Sequence, residues 1–209
     1  MPFIADFKRR WPSLFSEQGV CAEFTCITTV PLLSKFMSQL DDYSTKLTRV
    51  FQRKGGAAGH RMRNIMAVMG QNDSIETRRA CILKALAVYV NEEPEKLIKE
   101  YLVSDVDADD AQKMMDQTVI GIYVIKHEGA DAVDPPEDVG IIIEGVQVLQ
   151  YLGDAANACA LLLGLIYTMN LSYPPVLKYT FEVLQKILME LDGNKLSTKA
   201  QVLKNKLLE

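Results

Sequence analysis

The sequence contains little of the chemistry that side chains supply for cross-linking, metal binding or catalysis. It has four cysteines and two histidines in 209 residues. No Cys-x-x-Cys pair occurs and neither histidine lies near a cysteine in sequence, so the spacing of a zinc site is not met. Four cysteines are too few for a disulfide framework in a chain of this length. We expect no metal site, no cofactor, and reduced structural thiols at Cys21, Cys26, Cys81 and Cys159.

The sequence also lacks a hydrophobic run long enough to span a membrane. Its most apolar segment covers residues 155–169 and includes Asn157, whereas a membrane span needs about 20 apolar residues. A buried core helix is therefore predicted there. Near the amino terminus, Lys8, Arg9 and Arg10 follow the apolar residues, which is the reverse of the order in a signal peptide. These features predict a cytoplasmic or nuclear protein that does not bind membranes.

The overall composition is that of an ordinary globular protein. Hydrophobic residues make up 48% of the chain and charged residues 24%, with a net charge of −4, which excludes a disordered or collagen-like chain. The pattern predicts a mainly α fold with a small antiparallel β element, organised as a helical bundle. Residues 1–104 form the helical half with a basic patch, residues 105–209 form a half with a β-hairpin and helices, and the two together are expected to be one compact domain.

Apolar spacing and capping residues predict most of the helices. In residues 31–53, apolar side chains recur every three or four positions, as a helix that packs on a partner requires; they are Leu33, Phe36, Leu40, Tyr43, Leu47 and Val50. Thr29 is expected to cap this helix, and Asp73 and Glu76 match the capping box of a helix that runs to residue 90. Other helices are predicted over residues 20–28, 59–69, 94–103, 154–170, 175–191 and 197–208.

Two segments of the second half are rich in β-branched residues. They cover residues 118–125 and 139–149, and an acidic loop with Pro135 and Pro136 joins them. This arrangement predicts an antiparallel pair of strands packed on helices, with Gly145 as a candidate bulge. A buried helix remains the alternative for either segment.

An acidic segment partly matches a calcium-binding loop. Asp105, Asp107, Asp109 and Asp116 occupy positions 1, 3, 5 and 12 of the loop pattern. However, Asp110 stands where the pattern requires glycine, and position 12 lacks the longer glutamate. An acidic turn that caps the next helix is therefore the favoured interpretation.

A glycine-rich segment, residues 54–61, superficially resembles a phosphate-binding loop. A Walker loop requires a Lys-Ser or Lys-Thr pair after its glycines and a strand before them. Here a predicted helix comes first and no such pair follows. We therefore interpret the segment as a turn between helices.

Basic and acidic residues are unevenly distributed along the chain. Residues 46–79 carry a net charge of +6, and residues 105–144 carry a net charge of −9. The basic surface can bind nucleic-acid phosphates, dock on the acidic segment of the same or another copy, or simply be a solvated face. The residues assigned to nucleic-acid binding are Arg49, Arg53, Lys54, Arg61, Arg63, Arg78 and Arg79.

Catalytic arrangements are poorly represented. Nucleophilic catalysis needs a base beside Ser or Cys, and neither His60 nor His127 is accompanied by such a motif. His127 is interpreted as a residue at the end of a strand. No catalytic residue is assigned, and the chain is predicted not to be an enzyme.

Seven blocks distributed over nearly the whole chain carry a resemblance to a known family. They are residues 10–15, 123–130, 137–145, 161–167, 170–174, 178–186 and 203–207. The chain resembles a multi-copy family of fish proteins often labelled "sterile alpha motif domain-containing protein three-like". The sterile alpha motif itself is absent here, so its self-association is not implied. The family's multi-copy character suggests descent from a mobile element or an expanded defence-related set, which implies an assembly or nucleic-acid accessory role.

Together these observations predict a protein-interaction or assembly module. Its apolar helix stripes would pack on another copy or on a protein partner, aided by the opposite charge patches, with a homo-oligomer as the default. The interacting residues stay unknown at this point. Nucleic-acid binding through the basic patch is the alternative.

Overall fold

Several helices in the described part of this protein begin at a capping side chain. In the computed structural model of the chain, Ser16, Ser74, Asp154 and Ser197 each accept a hydrogen bond from a backbone N–H of the following turn. The caps at Asp154 and Ser197 confirm two predicted helix starts. Asp73 of the predicted capping box lies outside the described residues, and its neighbour Ser74 is the cap.

The structure describes residues 3–72, 74–103, 113, 115–127, 129 and 134–209. The fold is mainly α with a small β-sheet, as predicted. The helices in these ranges are α1 (Ile4–Arg10), α2 (Glu17–Thr28), α3 (Leu32–Gln52), α4 (Gly56–Ala67), α5 (Ile75–Tyr89), α6 (Pro94–Leu97), α7 (Ala155–Thr168), α8 (Lys178–Val183) and α9 (Thr198–Leu208). The strands are β1 (Ile98–Val103), β2 (Ile120–His127), β3 (Asp138–Ile143) and β4 (Val146–Leu149).

The chain divides into two compact units, each built from two separate segments. Unit 1 consists of Met1–Leu33 and Leu97–Ser172, and unit 2 consists of Ser34–Lys96 and Tyr173–Glu209. The boundary predicted between residues 104 and 105 lies outside the described residues and stays a prediction.

Unit 1 contains a four-stranded mixed sheet in the order β1-β2-β3-β4. The predicted antiparallel pair is confirmed as β2 and β3, with Ile122 opposite Ile141. The helix predicted over residues 94–103 is wrong beyond Leu97, because the chain there becomes β1 and pairs in parallel with β2. The residues of β1 mix helix formers with the strand formers Ile98, Tyr101 and Val103, and pairing with the buried strand β2 decides between the two.

The second β-rich segment is a hairpin rather than a single strand. It splits into β3 and β4 at Glu144 and Gly145, whose φ angles are +53° and +75°. Two successive residues with positive φ are typical of a tight hairpin turn. Gly145 therefore lies in the turn, and the irregularity in strand register falls between Ile141 and Ile142 instead.

Helices α2 and α7 pack closely in unit 1. A side chain at Gly164 of α7 would lie 2.5 Å from Leu32 and 2.7 Å from Val20, so glycine allows this close approach. Helix α7 is buried from Ala156 to Ile166 on nearly all sides, as predicted for a core helix. Thr29 was expected to begin the next helix; it ends α2 instead, in a left-handed conformation with φ of +61°.

Unit 2 buries the apolar stripe predicted for α3. Phe36, Leu40 and Leu47 are 1% exposed or less, while Tyr43 of the same stripe is half-buried. The stripe thus forms the core of its own chain, and it is not available to another molecule.

A buried carboxylate joins the two segments of unit 2. Glu92 lies in the turn after α5 and is 8% exposed. Its two oxygens accept hydrogen bonds from the backbone N–H of Tyr179 at 2.8 Å and of Thr180 at 2.9 Å, and from the Thr180 hydroxyl at 2.7 Å. These groups belong to the first turn of α8, where backbone N–H groups have no partner within the helix.

The helix predicted over residues 175–191 is irregular at both ends. It begins with a 3-10 turn at Pro175–Leu177 and continues from α8 into a wider π-helical turn at Leu184–Leu188. Glu182 near this turn accepts a hydrogen bond from the backbone N–H of Ser197 at 2.8 Å and contacts the Lys186 ammonium at 3.5 Å. It thereby ties α8 to the start of α9.

Candidate nucleic-acid interface

The C-terminal half of α3 presents cations on one side because the other side is buried. Leu47 and Val50 point into the core of unit 2. Lys46, Arg49 and Arg53 follow one another at intervals of three and four residues, so they lie along one side of the helix, and all three are exposed. No Asp or Glu occurs in residues 43–72, so α3 itself places no carboxylate beside these cations.

A lysine from the far end of the chain joins these three cations. Lys206 of α9 lines a shallow cavity of about 160 Å³ together with Lys46, Arg49 and Arg53. The buried Leu207, one residue later, positions Lys206 because it anchors the last turn of α9 in the core. The cavity is also lined by Val50, Leu208 and Glu209, so one carboxylate lies near the four cations.

None of the four cations is neutralised by an ion pair within the described parts of the chain. No carboxylate oxygen there lies within 4.0 Å of a charged nitrogen of these side chains. Lys46 and Lys206 instead lie over the rings of Tyr43 and Tyr89, each 5.9 Å from the ring centre. Like charges at helical spacing repel one another, so the cluster lowers its energy when an anion binds.

A second cavity adjoins the first at Arg49 and is lined by hydroxyl and amide groups. Its volume is about 330 Å³, and Arg49, Met69 and Arg78 are among the residues that line it. The other lining residues carry donors of the kind that hydrogen-bond to phosphate oxygens: Ser44, Thr45, Thr48 and Gln52.

Arg61, predicted as part of the same patch, is engaged by carboxylates. Its guanidinium lies 2.6 Å from Glu93 and 2.8 Å from Glu95. The hydrogen bond to Glu93 raises the pKa of Arg61 above its ordinary value, and Arg61 in turn holds the pKa of Glu93 below its usual range. This arginine is thus neutralised within unit 2.

Arg79 is likewise held by an acid. Its Nε and a terminal nitrogen donate to the two oxygens of Asp41 at 2.9 Å and 2.6 Å. Arg63 donates to the backbone carbonyl of Lys54 at 3.3 Å, and the Lys54 ammonium lies 5.5 Å from the centre of the Tyr89 ring. The structure therefore divides the seven predicted residues. Arg61 and Arg79 are paired with acids, Arg49 and Arg53 line one cavity with Lys46, Arg78 lines the cavity that Arg49 also lines, and Lys54 lies over the Tyr89 ring that Lys206 also contacts.

Sequence reasoning missed Lys206. The residue follows Arg53 by about 150 positions, and nothing in the pattern of α9 distinguishes it from the other lysines of that helix. Only the folding of α9 against the core of unit 2 brings it to the α3 surface.

The other candidate residues lie apart from this surface or outside the described residues. His60 is exposed on α4. His127 ends β2 in unit 1, as predicted, and its Nε2 lies 3.2 Å from the Glu137 carboxylate. Residues 105–110 of the acidic loop are outside the described residues. The glycine-rich segment, residues 54–61, is only in part the predicted turn: Gly55 is the N-cap of α4, and residues 56–61 already belong to that helix.

Unit 1 carries an apolar groove of about 580 Å³ between its first two helices. Trp11 is half-exposed in it and lies against Phe7, with ring centres 4.5 Å apart. Cys26 also lines the groove and is exposed, and Cys21 is half-buried. The prediction of structural thiols at all four positions, which implies burial in the core, is therefore wrong for Cys26. Cys81 and Cys159 are buried as predicted, and burial raises the pKa of Cys159 to about 12.

Comparison of the chain with protein-family models, with curated proteins and with solved structures finds no match. Among the described residues, no group of three or more His, Cys, Asp or Glu side chains is placed to hold a metal ion. No single helix in those residues is long and apolar enough to cross a membrane. Taken together, α2 and α3 meet the same criteria of length and composition, but the pair is bent at the break between them.

Proposed function

We propose that this chain is a non-enzymatic binding module that holds nucleic acid by its phosphates, through Lys46, Arg49, Arg53 and Lys206 of unit 2. One observation carries the proposal: these four cations converge on one cavity without an ion-pair partner among the described residues. A location in the cytoplasm or nucleus, where nucleic acid is found, is part of the proposal.

The chemistry of the surface fits a phosphate backbone. Arg and Lys supply charge, and the adjoining hydroxyl and amide groups supply neutral donors to phosphate oxygens. The net charge of the whole chain is −4, so attraction to a polyanion must come from this local cluster. Such binding depends steeply on salt, because each neutralised phosphate releases counterions.

Stabilisation of the α3 dipole explains only part of the cluster. Cations in the last turn of a helix interact favourably with its negative end, and Arg49 lies in that turn. Lys46 precedes the last turn, and Lys206 belongs to another helix. Their convergence on the same cavity has no such local explanation.

The test compares two double variants that remove the same charge. Anisotropy of a labelled DNA duplex is measured against salt for the wild type, for Arg49→Ala/Arg53→Ala, and for Arg61→Ala/Arg79→Ala. We expect the first variant to weaken binding about tenfold or more and to lower the salt slope by about 2. The second should stay within about twofold of the wild type, because its arginines are already paired.

Equal losses in both variants would show that only total charge matters, and an unchanged Arg49→Ala/Arg53→Ala variant would exclude this surface. Circular dichroism of each variant establishes that it is folded.

Protein interaction or self-assembly is the second candidate, and the groove in unit 1 favours it. A half-exposed Trp beside a second aromatic ring is typical of an anchor in a protein interface. The buried stripe of α3 does not serve this role. We propose a second copy as the occupant, since the strongly acidic residues 105–144 and the basic residues 46–79 of two copies attract each other.

Light scattering over a range of protein concentrations tests self-assembly. A dimer mass that falls to the monomer mass in Trp11→Ser supports it. A strict monomer at high concentration excludes it, and a dimer unaffected by Trp11→Ser excludes the groove.

A further inference from the structure

The basic surface continues beyond the four cations, across the end of α9. A third cavity, of about 370 Å³, shares Leu207 and Leu208 with the first one. Lys186 and Lys204 lie along it. Neighbouring cavities thus share lining residues, Arg49 between the first two and Leu207 and Leu208 between the first and the third. We call this succession of cavities on unit 2 the path.

The two lysines of the third cavity differ in whether they interact with other groups of the protein. Lys186 donates to the backbone carbonyl of Lys195 and contacts Glu182, so it holds the loop before α9. Lys204 is exposed and has no ion pair among the described residues. Glu190 on the same cavity is paired with Lys35 at 2.5 Å. Lys204 is therefore the cation that this cavity offers to a ligand.

The path carries cationic side chains, but the described part of unit 2 has no strongly exposed Phe, Tyr or Trp ring on which a base could stack. Large apolar side chains exposed in the described part of unit 2 are all aliphatic: Val68, Ile75, Val176, Val202 and Leu208. Tyr43, which lines the third cavity, is half-buried. Proteins that grip the bases of single strands use exposed aromatic rings, so the described path is suited to phosphates alone.

The length of the path exceeds a single phosphate. Lys46 and Arg53 are seven residues apart, which is about 10 Å along a helix. That distance equals the rise of about three nucleotides in one strand of B-form DNA. Lys204, which lines the third cavity, adds a further cation beyond this stretch.

We propose that the path from Arg49 and Arg53 through Lys206 to Lys204 binds an extended nucleic-acid backbone without reading its sequence. This inference rests on the proposed function and adds the α9 lysines, the multi-phosphate length and the absence of base recognition. An isolated phosphate is too small to bridge these cations.

The α9 lysines are tested with a matched pair of double variants. Salt-dependent binding of a 16-base-pair duplex is measured for Lys204→Ala/Lys206→Ala and for Lys96→Ala/Lys178→Ala, whose lysines are exposed elsewhere in unit 2. The first variant should lower the salt slope by about 2 and weaken binding about tenfold. The second should bind like the wild type.

Suppose that Arg49→Ala/Arg53→Ala loses binding but the two lysine variants behave alike. The path then stops at α3, which overturns this inference and leaves the proposed function intact. Absence of duplex binding by the wild type at low salt would instead overturn the proposed function.

Ligand length and composition test the remaining parts of the inference. Affinity should rise from 4 to 16 base pairs, millimolar inorganic phosphate should not compete, and duplexes rich in A·T or G·C should bind within about twofold of each other. A tenfold preference for one duplex contradicts backbone-only binding. Equally tight binding of polyglutamate at the same salt contradicts the assignment to nucleic acid in favour of an acidic protein.

Discussion

Unit 2 contains charges of two kinds, and the comparison between them separates structure from function. Glu92 is buried and its oxygens accept three hydrogen bonds from the first turn of α8. Arg49 and Arg53 are exposed and lack an ion pair among the described residues. A buried charge whose hydrogen bonds are formed within the protein stabilises the fold. An exposed charge without an ion pair contributes little to folding and remains available to a ligand. Stability and binding should therefore respond to different substitutions.

The largest effect on stability is expected at Glu92. In Glu92→Ala, three donors of α8 lose their acceptor in a buried site, which should lower the free energy of unfolding by about 3 kcal/mol. Urea denaturation followed by circular dichroism measures the loss, and hydrogen exchange at Tyr179 and Thr180 localises it. Glu92→Gln keeps one acceptor oxygen and should lose about half as much. A loss below about 1 kcal/mol in Glu92→Ala would contradict the anchoring role.

A smaller effect, which depends on pH, is expected at Glu182. Burial raises the pKa of this carboxyl, but the hydrogen bonds from Ser197 and the charge of Lys186 outweigh burial and leave the pKa below its ordinary value of 4.5. A carboxyl whose pKa is lowered on folding stabilises the protein above its unfolded pKa, and this contribution disappears as the pH falls through the folded pKa.

The wild type should therefore exceed Glu182→Gln by about 1 kcal/mol in unfolding free energy at pH 7. The difference should shrink as the pH falls below 4.5. Urea denaturation at pH 7, 5 and 3.5 measures it, and a gap that stays constant over this range would contradict the ionic role of Glu182.

The smallest effect on stability is expected in the basic surface. Arg53→Ala relieves repulsion from Arg49 four residues earlier, so the unfolding free energy should change by less than about 0.5 kcal/mol. Arg79→Ala provides the contrast, because it breaks the two-point contact with Asp41 and should cost about 1 kcal/mol. Thermal denaturation of both variants checks this order. A larger loss in Arg53→Ala than in Arg79→Ala would show that Arg53 stabilises the fold.

The helices of this protein were predictable where local chemistry determines them. Asp154 and Ser197 mark helix starts because their side chains accept hydrogen bonds from the next turn. Strand β1 was missed because residues 98–103 mix helix formers with strand formers, and pairing with β2 decides between the two. The hairpin was hidden because Glu144, rather than glycine or asparagine, takes the first positive φ of its turn.

The candidate site was predictable only in the part that one helix carries. Lys46, Arg49 and Arg53 can be placed on one side of α3 from their spacing alone. The sequence does not show that Arg61 and Arg79 form ion pairs, because Glu93 and Asp41 approach them only in the folded unit. Lys206 required the packing of α9.

The assembly of each unit from two separate segments has a consequence for synthesis on the ribosome. All of unit 1 has left the ribosome once residue 172 emerges, whereas unit 2 still waits for residues 173–209. Until α8 arrives, the apolar face of α5 that it will cover is open to water, and the Glu92 carboxylate has not met its donors. Nascent chains at this stage expose aggregation-prone surface, so this interval is where a chaperone would engage the protein.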